Sequence, residues 1–135
     1  MPFELTEYEM DGIAKKAGCE FILYTHIPLM VSAQCVRYNT KKCAFSEKKG
    51  INEKIILTDR KSREFMAINY CKYCYNIIYR EEPFQIPCSM EREFWEEVHQ
   101  VRFEFTTETA EEVHAVLKDE IIRDHCRGHF DAGIQ

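Results

Sequence analysis

Two pairs of cysteines stand on either side of a predicted β-hairpin, and they constrain the fold of this chain more than any other feature. Cys35 and Cys43 are eight residues apart, and Cys71 and Cys74 form a C-x-x-C motif. A hairpin between them can bring both pairs toward one point. Thiolates are soft ligands, and four of them hold one tetrahedral zinc ion or one iron–sulfur cluster. The spacing therefore predicts a four-cysteine metal site.

The hairpin is indicated by two short apolar segments around a polar turn. Residues 54–58 and 64–68 have strand composition, and residues 59–62 form the turn. Residues 76–80 predict a further strand after the C-x-x-C motif, and residues 36–53 predict a polar loop. Asp59 in such a turn normally accepts hydrogen bonds from nearby backbone N–H groups, although a catalytic role is also considered.

Helical and strand patterns alternate outside this region. Thr6 and Glu9 form a capping box, and an apolar stripe from Met10 to Ala17 predicts a helix that ends at Gly18. Residues 20–24 then predict a buried strand. Ser89 is expected to cap another helix, residues 101–105 alternate as a strand, and a last helix is expected to start at Thr107. The sequence predicts a single α/β domain over residues 1–135.

The cysteine count bears on the compartment. Seven cysteines cannot all pair, and the first residues lack the basic and apolar order of a secretory signal, so we expect reduced thiols and a cytoplasmic protein. No segment approaches the roughly 18 consecutive apolar residues of a membrane span. The cysteines outside the two pairs are expected to be ordinary thiols: Cys19, Cys88 and Cys126.

Positive charge is concentrated in residues 37–64. This segment contains nine basic and four acidic residues, whereas the whole chain has a net charge of −5. Such a block is either a solvated loop and hairpin or a surface that approaches RNA.

Redox exchange at Cys71 and Cys74 is a weaker alternative to metal binding. A thioredoxin-like site places its C-x-x-C at the start of a helix, whereas residues 75–79 have strand composition.

Five segments occur in this order along the chain: residues 27–35, 57–65, 69–79, 101–106 and 127–130. Together they resemble segments of the U32 peptidases, which are often described as collagenase-like. Residues 27–35 resemble their "PLMVS..C" signature, and residues 57–65 resemble the "L.DRKG..FPV" hairpin. Residues 69–79 are similar to "C..C.N.IYN", residues 101–106 to "lRlDFT", and residues 127–130 to "RGHF". The chain departs from the pattern at Ser62, Met66, Ala67, Arg80 and residues 131–133.

The resemblance implies an architecture. Family members resemble (β/α) barrels that are much longer, and this chain matches their C-terminal half. We therefore expect a partial (β/α)-barrel-like fragment with a β-hairpin insertion that carries the four cysteines. A partial barrel leaves open sheet edges, so we expect a homo-oligomer or an N-terminal half supplied in trans, and a fragment that is inactive alone.

The resemblance also implies a chemical activity, but different branches of the family imply different reactions. The family name implies peptide hydrolysis. Other branches resemble proteins in which a [4Fe–4S] cluster serves the hydroxylation of RNA bases or quinone precursors, and Cys35, Cys43, Cys71 and Cys74 occupy the corresponding region. A non-catalytic module stapled by zinc is the competing interpretation. His129, in the segment similar to "RGHF", and His26, at a predicted strand end, are the histidine candidates for catalysis.

Overall fold

The computed structural model describes residues 4–41, 53–87, 98–122 and 125–128. Within these residues the chain is a mixture of helices and two separate β-sheets, and no closed barrel is formed. The chain divides into two compact units. Unit 1 contains residues 1–26 and 82–135, and unit 2 contains residues 27–81.

Unit 1 begins with helix α1, Glu7–Ala14. The predicted capping box is present, because the Thr6 hydroxyl accepts from the Glu9 backbone N–H and the Glu9 carboxylate accepts from that of Thr6. The helix ends at Ala14, and Lys15 is its C-cap, so the prediction that the helix extends to Gly18 is wrong. Only part of the apolar stripe is buried, and Ile13 is exposed.

Strand β1, Glu20–Thr25, is the centre of the unit 1 sheet. It pairs antiparallel with β6, Phe84–Gln85, and parallel with β7, Gln100–Phe103. The run of apolar residues in β1 suits this central position, because a strand with neighbours on both sides has little contact with solvent. Phe21, Leu23 and Tyr24 are buried.

Helix α3, Ala110–Leu117, follows β7. Its N-cap is Thr109, which forms a second capping box with Glu112, so the predicted helix start at Thr107 is two residues early. Val116 is buried, whereas Leu117 and Ile121 are exposed. The helix predicted to start at Ser89 falls on residues that lie outside the described part of the chain.

Unit 2 contains a four-stranded antiparallel sheet with the order β2-β5-β4-β3. Its strands are β2, Pro28–Ser32; β3, Glu53–Thr58; β4, Glu64–Tyr70; and β5, Tyr75–Arg80. The predicted hairpin is confirmed as β3 and β4, which pair from Glu53↔Asn69 to Thr58↔Glu64. The buried residues Met66, Ile68 and Tyr79 form the core of this unit.

Two segments of unit 2 are more regular than the sequence predicts. Residues 28–32, for which the sequence analysis predicts no strand, form edge strand β2 and pair with β5. The first part of the predicted loop over residues 36–53 is helix α2, Val36–Lys41. Pairing at the sheet edge and helix formation both satisfy the hydrogen bonds of backbone N–H and C=O groups. The sequence of a short segment does not show which of these partners it will find.

Candidate functional site

Cys71 and Cys74 are the first and last residues of the tight turn between β4 and β5. The two strands remain paired up to Tyr70↔Tyr75, whose rings stack with centroids 4.8 Å apart. The Tyr73 backbone N–H donates to the Tyr70 carbonyl at 3.0 Å, and Cys74 has a left-handed backbone with φ of 55°. The Cys74 thiol donates to the Cys71 carbonyl at 3.8 Å. The turn therefore fixes both sulfur atoms at one end of the sheet.

Cys35 is brought to the same end of the sheet by two buried asparagines. Asn69 and Asn76 face each other across β4 and β5, one pair before the turn, and neither is exposed. The Val36 backbone N–H donates to Asn76 Oδ1 at 3.1 Å, and the Cys35 thiol lies 3.9 Å from Asn69 Oδ1. The start of α2 is thus held against the sheet beside the cysteine turn.

Arg37 connects α2 with both the turn and β3. Its Nη1 donates to Cys71 Sγ at 3.9 Å, and its Nε lies 3.4 Å from Glu53 Oε2. Both side chains of the ion pair are about three-quarters buried, with exposed fractions of 24% and 27%. Asn69 Nδ2 completes the connection by donating to the Glu53 carbonyl at 3.4 Å. A chain of polar contacts therefore joins the surroundings of Cys35 to Cys71.

Three of the four predicted ligands thus lie at one end of one sheet: Cys35, Cys71 and Cys74. The fourth, Cys43, lies outside the described residues. Within residues 4–41, 53–87, 98–122 and 125–128, no group of three or more histidine, cysteine, aspartate or glutamate side chains is placed to hold a metal ion. Convergence of the thiols on one ion therefore remains a prediction, which depends on Cys43 and on reorientation of the described sulfur atoms.

One orphaned donor at this end of the sheet fits a sulfur-rich ligand. Asn76 is fully buried, and its Nδ2 has no hydrogen-bond partner among the described residues. Buried donors without acceptors are uncommon in proteins, and a bound ion or group is an ordinary partner for them. Thiolate sulfur and cluster sulfide both accept N–H hydrogen bonds, so the donor set around the thiols is chemically compatible with such a group.

Two of the remaining cysteines belong to unit 1. Cys19 precedes β1, and Cys126 forms an isolated bridge with Phe84; both are free, partly buried thiols of unit 1. Cys88 lies outside the described residues.

His26 belongs to a buried polar cluster in unit 1. It follows β1, and its Nε2 lies 3.1 Å from Oε1 of Glu108, with side chains exposed by only 1% and 0%. The Tyr24 hydroxyl donates to the same carboxylate oxygen at 3.0 Å. Because β1 and β7 are parallel, this cluster lies beyond the carboxyl ends of both strands, where active sites of α/β proteins are usually found. A catalytic role for His26 stays a prediction.

Glu108 is the residue of this cluster that the sequence did not reveal. Its Oε2 accepts from the backbone N–H groups of Thr106 and Thr107. Burial disfavours the charged form, but hydrogen bonds from His26, the Thr106 backbone and Tyr24 outweigh it and lower the pKa of Glu108 to about 2. In the sequence, Glu108 is one of three glutamates near a predicted helix start, and nothing separates it from its neighbours.

Asp59, another candidate from the sequence, lies in the β3–β4 turn. Asp59 Oδ1 accepts from the backbone N–H groups of Lys61 and Arg63, and Oδ2 forms an ion pair with the Arg63 guanidinium. The backbone hydrogen bond from Arg63 is the largest cause of a lowered pKa for Asp59. These contacts organise the β3–β4 turn, as the sequence analysis expects. His129 lies outside the described residues.

The basic segment over residues 37–64 is partly neutralised where it is described. Arg37, Lys54 and Arg63 each pair with a carboxylate, Lys54 with Glu81 at 3.7 Å. Binding of RNA to this segment remains a prediction.

Comparisons with protein-family models, with curated proteins and with solved structures found no match for this chain. Among the helices of the described residues, none has the length and apolar character needed to cross a bilayer.

Proposed function

We propose that this chain is the C-terminal α/β portion of a U32-type protein and that Cys35, Cys43, Cys71 and Cys74 bind a metal centre. The observation that carries the proposal is the gathering of Cys35, Cys71 and Cys74 at one end of the unit 2 sheet. These residues come from two segments separated by 36 positions in the sequence. Ordinary core thiols have no need to cluster, whereas metal ligands from separate segments must do so.

The preferred occupant is a [4Fe–4S] cluster, and zinc is the alternative. Both accept four thiolates, so ligand type does not separate them. A cluster would supply electron transfer for an oxygen-transfer reaction in the complete protein, on RNA bases or quinone precursors. Zinc would staple α2 and its following segment to the β4–β5 turn without catalysis. The Arg37 contact with Cys71 supports an ionic, sulfur-rich centre in either case.

Metal analysis of anaerobically purified protein, combined with a visible spectrum, tests the proposal. A brown protein containing iron and sulfide indicates the cluster, and a colourless protein with one zinc indicates the structural module. Cys71→Ala and Cys74→Ala should both lose the metal. Cys19→Ala is the matched control, because it removes a partly buried thiol of unit 1 and should retain the metal.

Two results would contradict the proposal. One is a wild-type protein that takes up neither iron–sulfur nor zinc under reducing conditions. The other is full metal content in both turn variants, with far-ultraviolet circular dichroism confirming that they are folded.

A further inference from the structure

The side of α1 that faces away from the core of unit 1 is partly apolar and concave, and we call it the outward face. Met10 and Ala14 are buried on the opposite side, whereas Tyr8 and Ile13 are 87% and 42% exposed. A shallow cavity with a volume of about 510 Å³ follows the outward face. Its lining includes Leu5, Tyr8, Glu9, Gly12, Ile13 and Lys16.

Gly12 forms a gap in the middle of the outward face. Apart from its chain neighbours and the backbone of its own helix, no heavy atom of the described residues lies within 4 Å of the position that a Cβ would occupy. The distance between two packed helices depends on the side chains at their contact, so a missing side chain lets a neighbouring helix approach. The gap is therefore suited to receive an apolar side chain from another helix.

The charges along α1 are divided between its two halves. Glu7, Glu9 and Asp11 come first in the sequence, and Lys15 and Lys16 follow them. An antiparallel pair of identical helices brings the first half of one against the second half of the other, so each acidic half faces a basic half. A parallel pair would instead place like charges together. The charge pattern of α1 is therefore complementary to its own reverse.

One register of an antiparallel pair satisfies both the gap and the charges. If the twofold axis passes between Gly12 and Ile13, the Ile13 side chain of each copy lies over Gly12 of the other. Glu9 is three residues before Gly12, and Lys16 is three residues after Ile13. The same axis therefore places Glu9 of each copy opposite Lys16 of the other, and all four residues line the outward face.

We propose that the outward face of α1 binds a second copy of this chain, as an antiparallel α1–α1 pair with its twofold axis between Gly12 and Ile13. The occupant follows from the charge complementarity of the helix with itself. Helix α1 has only eight residues, so the contact is small, and we expect a weak dimer whose population rises with protein concentration. The pairing goes beyond the proposed function and requires no metal centre.

The first test fills the gap with a side chain. Gly12→Gln should leave the fold intact, because the space around Gly12 is open and glutamine is a better helix former than glycine. It should raise the dissociation constant of the dimer about 10-fold, because the added side chain occupies the place of Ile13 from the second copy. Gly18→Gln is the matched control. Gly18 has equally open surroundings but lies beyond the C-cap of α1, so the dimer should be unchanged.

The measurement is sedimentation equilibrium over a range of concentrations, with thermal unfolding of each variant alongside it. We expect Gly12→Gln to unfold at the same temperature as wild type or higher, while its dimer is weaker. A loss of packing inside unit 1 would lower both quantities together. Equal dissociation constants for wild type and Gly12→Gln would overturn the proposal.

The second test uses the wild-type sequence and detects the register directly. Proteins labelled with ¹⁴N and with ¹⁵N are mixed and treated with a carbodiimide, which joins a carboxylate and an amine that are in contact. We expect cross-linked peptides of mixed isotope composition between Glu9 and Lys16. Asp11 and Lys15, whose side chains are 2.7 Å apart within one helix, are the internal control and should cross-link without isotope mixing.

The results separate this pairing from the metal site. Wild-type protein that stays a monomer at every concentration overturns the pairing, whatever metal it contains. Association without mixed-isotope cross-links between Glu9 and Lys16 also overturns it, because the copies then meet through another surface. A protein that binds no metal but gives these cross-links retains the pairing and loses only the proposed function.

Discussion

Glu108 has an unusual concentration of hydrogen bonds for a single carboxylate. It accepts from Tyr24, from His26 and from two backbone N–H groups before α3, and it is fully buried. A buried carboxylate is stable only when its lone pairs are satisfied. Glu108 therefore helps to attach the connection between β7 and α3 to the end of β1, together with the contacts that Glu104 makes with Tyr24 and Thr25.

Replacing Glu108 with glutamine should destabilise the protein. Glutamine has nearly the same shape, but it loses the charge. Its NH2 group also replaces one of the two acceptor oxygens, so a donor must face either the two backbone N–H groups or Tyr24 and His26. We expect Glu108→Gln to lower the free energy of unfolding by about 2–4 kcal/mol. Glu111→Gln, an exposed glutamate in the first turn of α3, should change it by less than about 0.5 kcal/mol. Urea unfolding of both variants gives the comparison, and equal losses would refute this role.

The low pKa of Glu108 makes part of the stability depend on pH. The folded-state pKa is about 2, against an ordinary value of 4.5. Because the pKa is lower in the folded state, the carboxylate stabilises that state at any pH above the pKa of the unfolded state. This contribution is lost as the pH falls toward and through the pKa of the folded state. The stability difference between wild type and Glu108→Gln should therefore stay constant above about pH 5 and shrink from about pH 4.5 to 2. A difference that is independent of pH down to pH 2 would contradict the assignment.

Local signals in the sequence predict that a short helix or hairpin exists better than they predict the residues at which it begins and ends. The capping box of α1 and the β3–β4 hairpin are both confirmed, because each is specified by residues within a few positions of one another. Helix α2 and edge strand β2 are missed. Both elements are stabilised by residues distant in sequence; for example, Asn76 of β5 accepts from the Val36 backbone N–H at the start of α2. The spacing of residues within a short segment does not show such contacts.

The N-cap of α3 provides a test at the scale of one element. Thr109, rather than Thr107, accepts from the Glu112 backbone N–H, at 3.3 Å. Thr109→Ala should lower stability by about 1 kcal/mol, the usual effect of losing a threonine cap. Thr107→Ala should have a smaller effect. Thermal unfolding monitored by circular dichroism measures both, and a larger loss for Thr107→Ala would favour the helix start that the sequence pattern indicated.

The candidate site was predicted only in part, for reasons that differ between its components. Thiol spacing identified Cys35, Cys71 and Cys74 as neighbours, since a hairpin relates them. It did not identify Arg37, Asn69 or Asn76, whose roles depend on which strand faces which. Polar residues inside a strand have no sequence signature until the register is known.

At the scale of the whole molecule, strand β2 is an edge strand of the unit 2 sheet, and within the described part of the chain it pairs only with β5. Three consecutive apolar side chains on this strand are at least half exposed: Leu29, Met30 and Val31. Edge strands without charges tend to pair with other chains. Self-association stays a prediction, which rests on the resemblance to a partial barrel.

We therefore expect concentration-dependent association of the purified protein, and we expect Val31→Lys to reduce it. A lysine on an edge strand opposes pairing because its charge would have to be desolvated. Sedimentation velocity over a range of concentrations measures the effect, and Leu117→Lys, at an exposed position on α3, is the control. A wild-type protein that remains a monomer at all concentrations would contradict this expectation.

The two ends of unit 2 lie next to each other. The Arg80 backbone N–H donates to the Ile27 carbonyl at 3.0 Å, and Pro28 pairs with Tyr79. A segment whose ends are joined in this way can be gained or lost as a block without stretching the polypeptide on either side. Unit 2, which carries the clustered cysteines, is therefore the kind of module that a gene can acquire in a single insertion. Its evolutionary origin can differ from that of the strands that flank it.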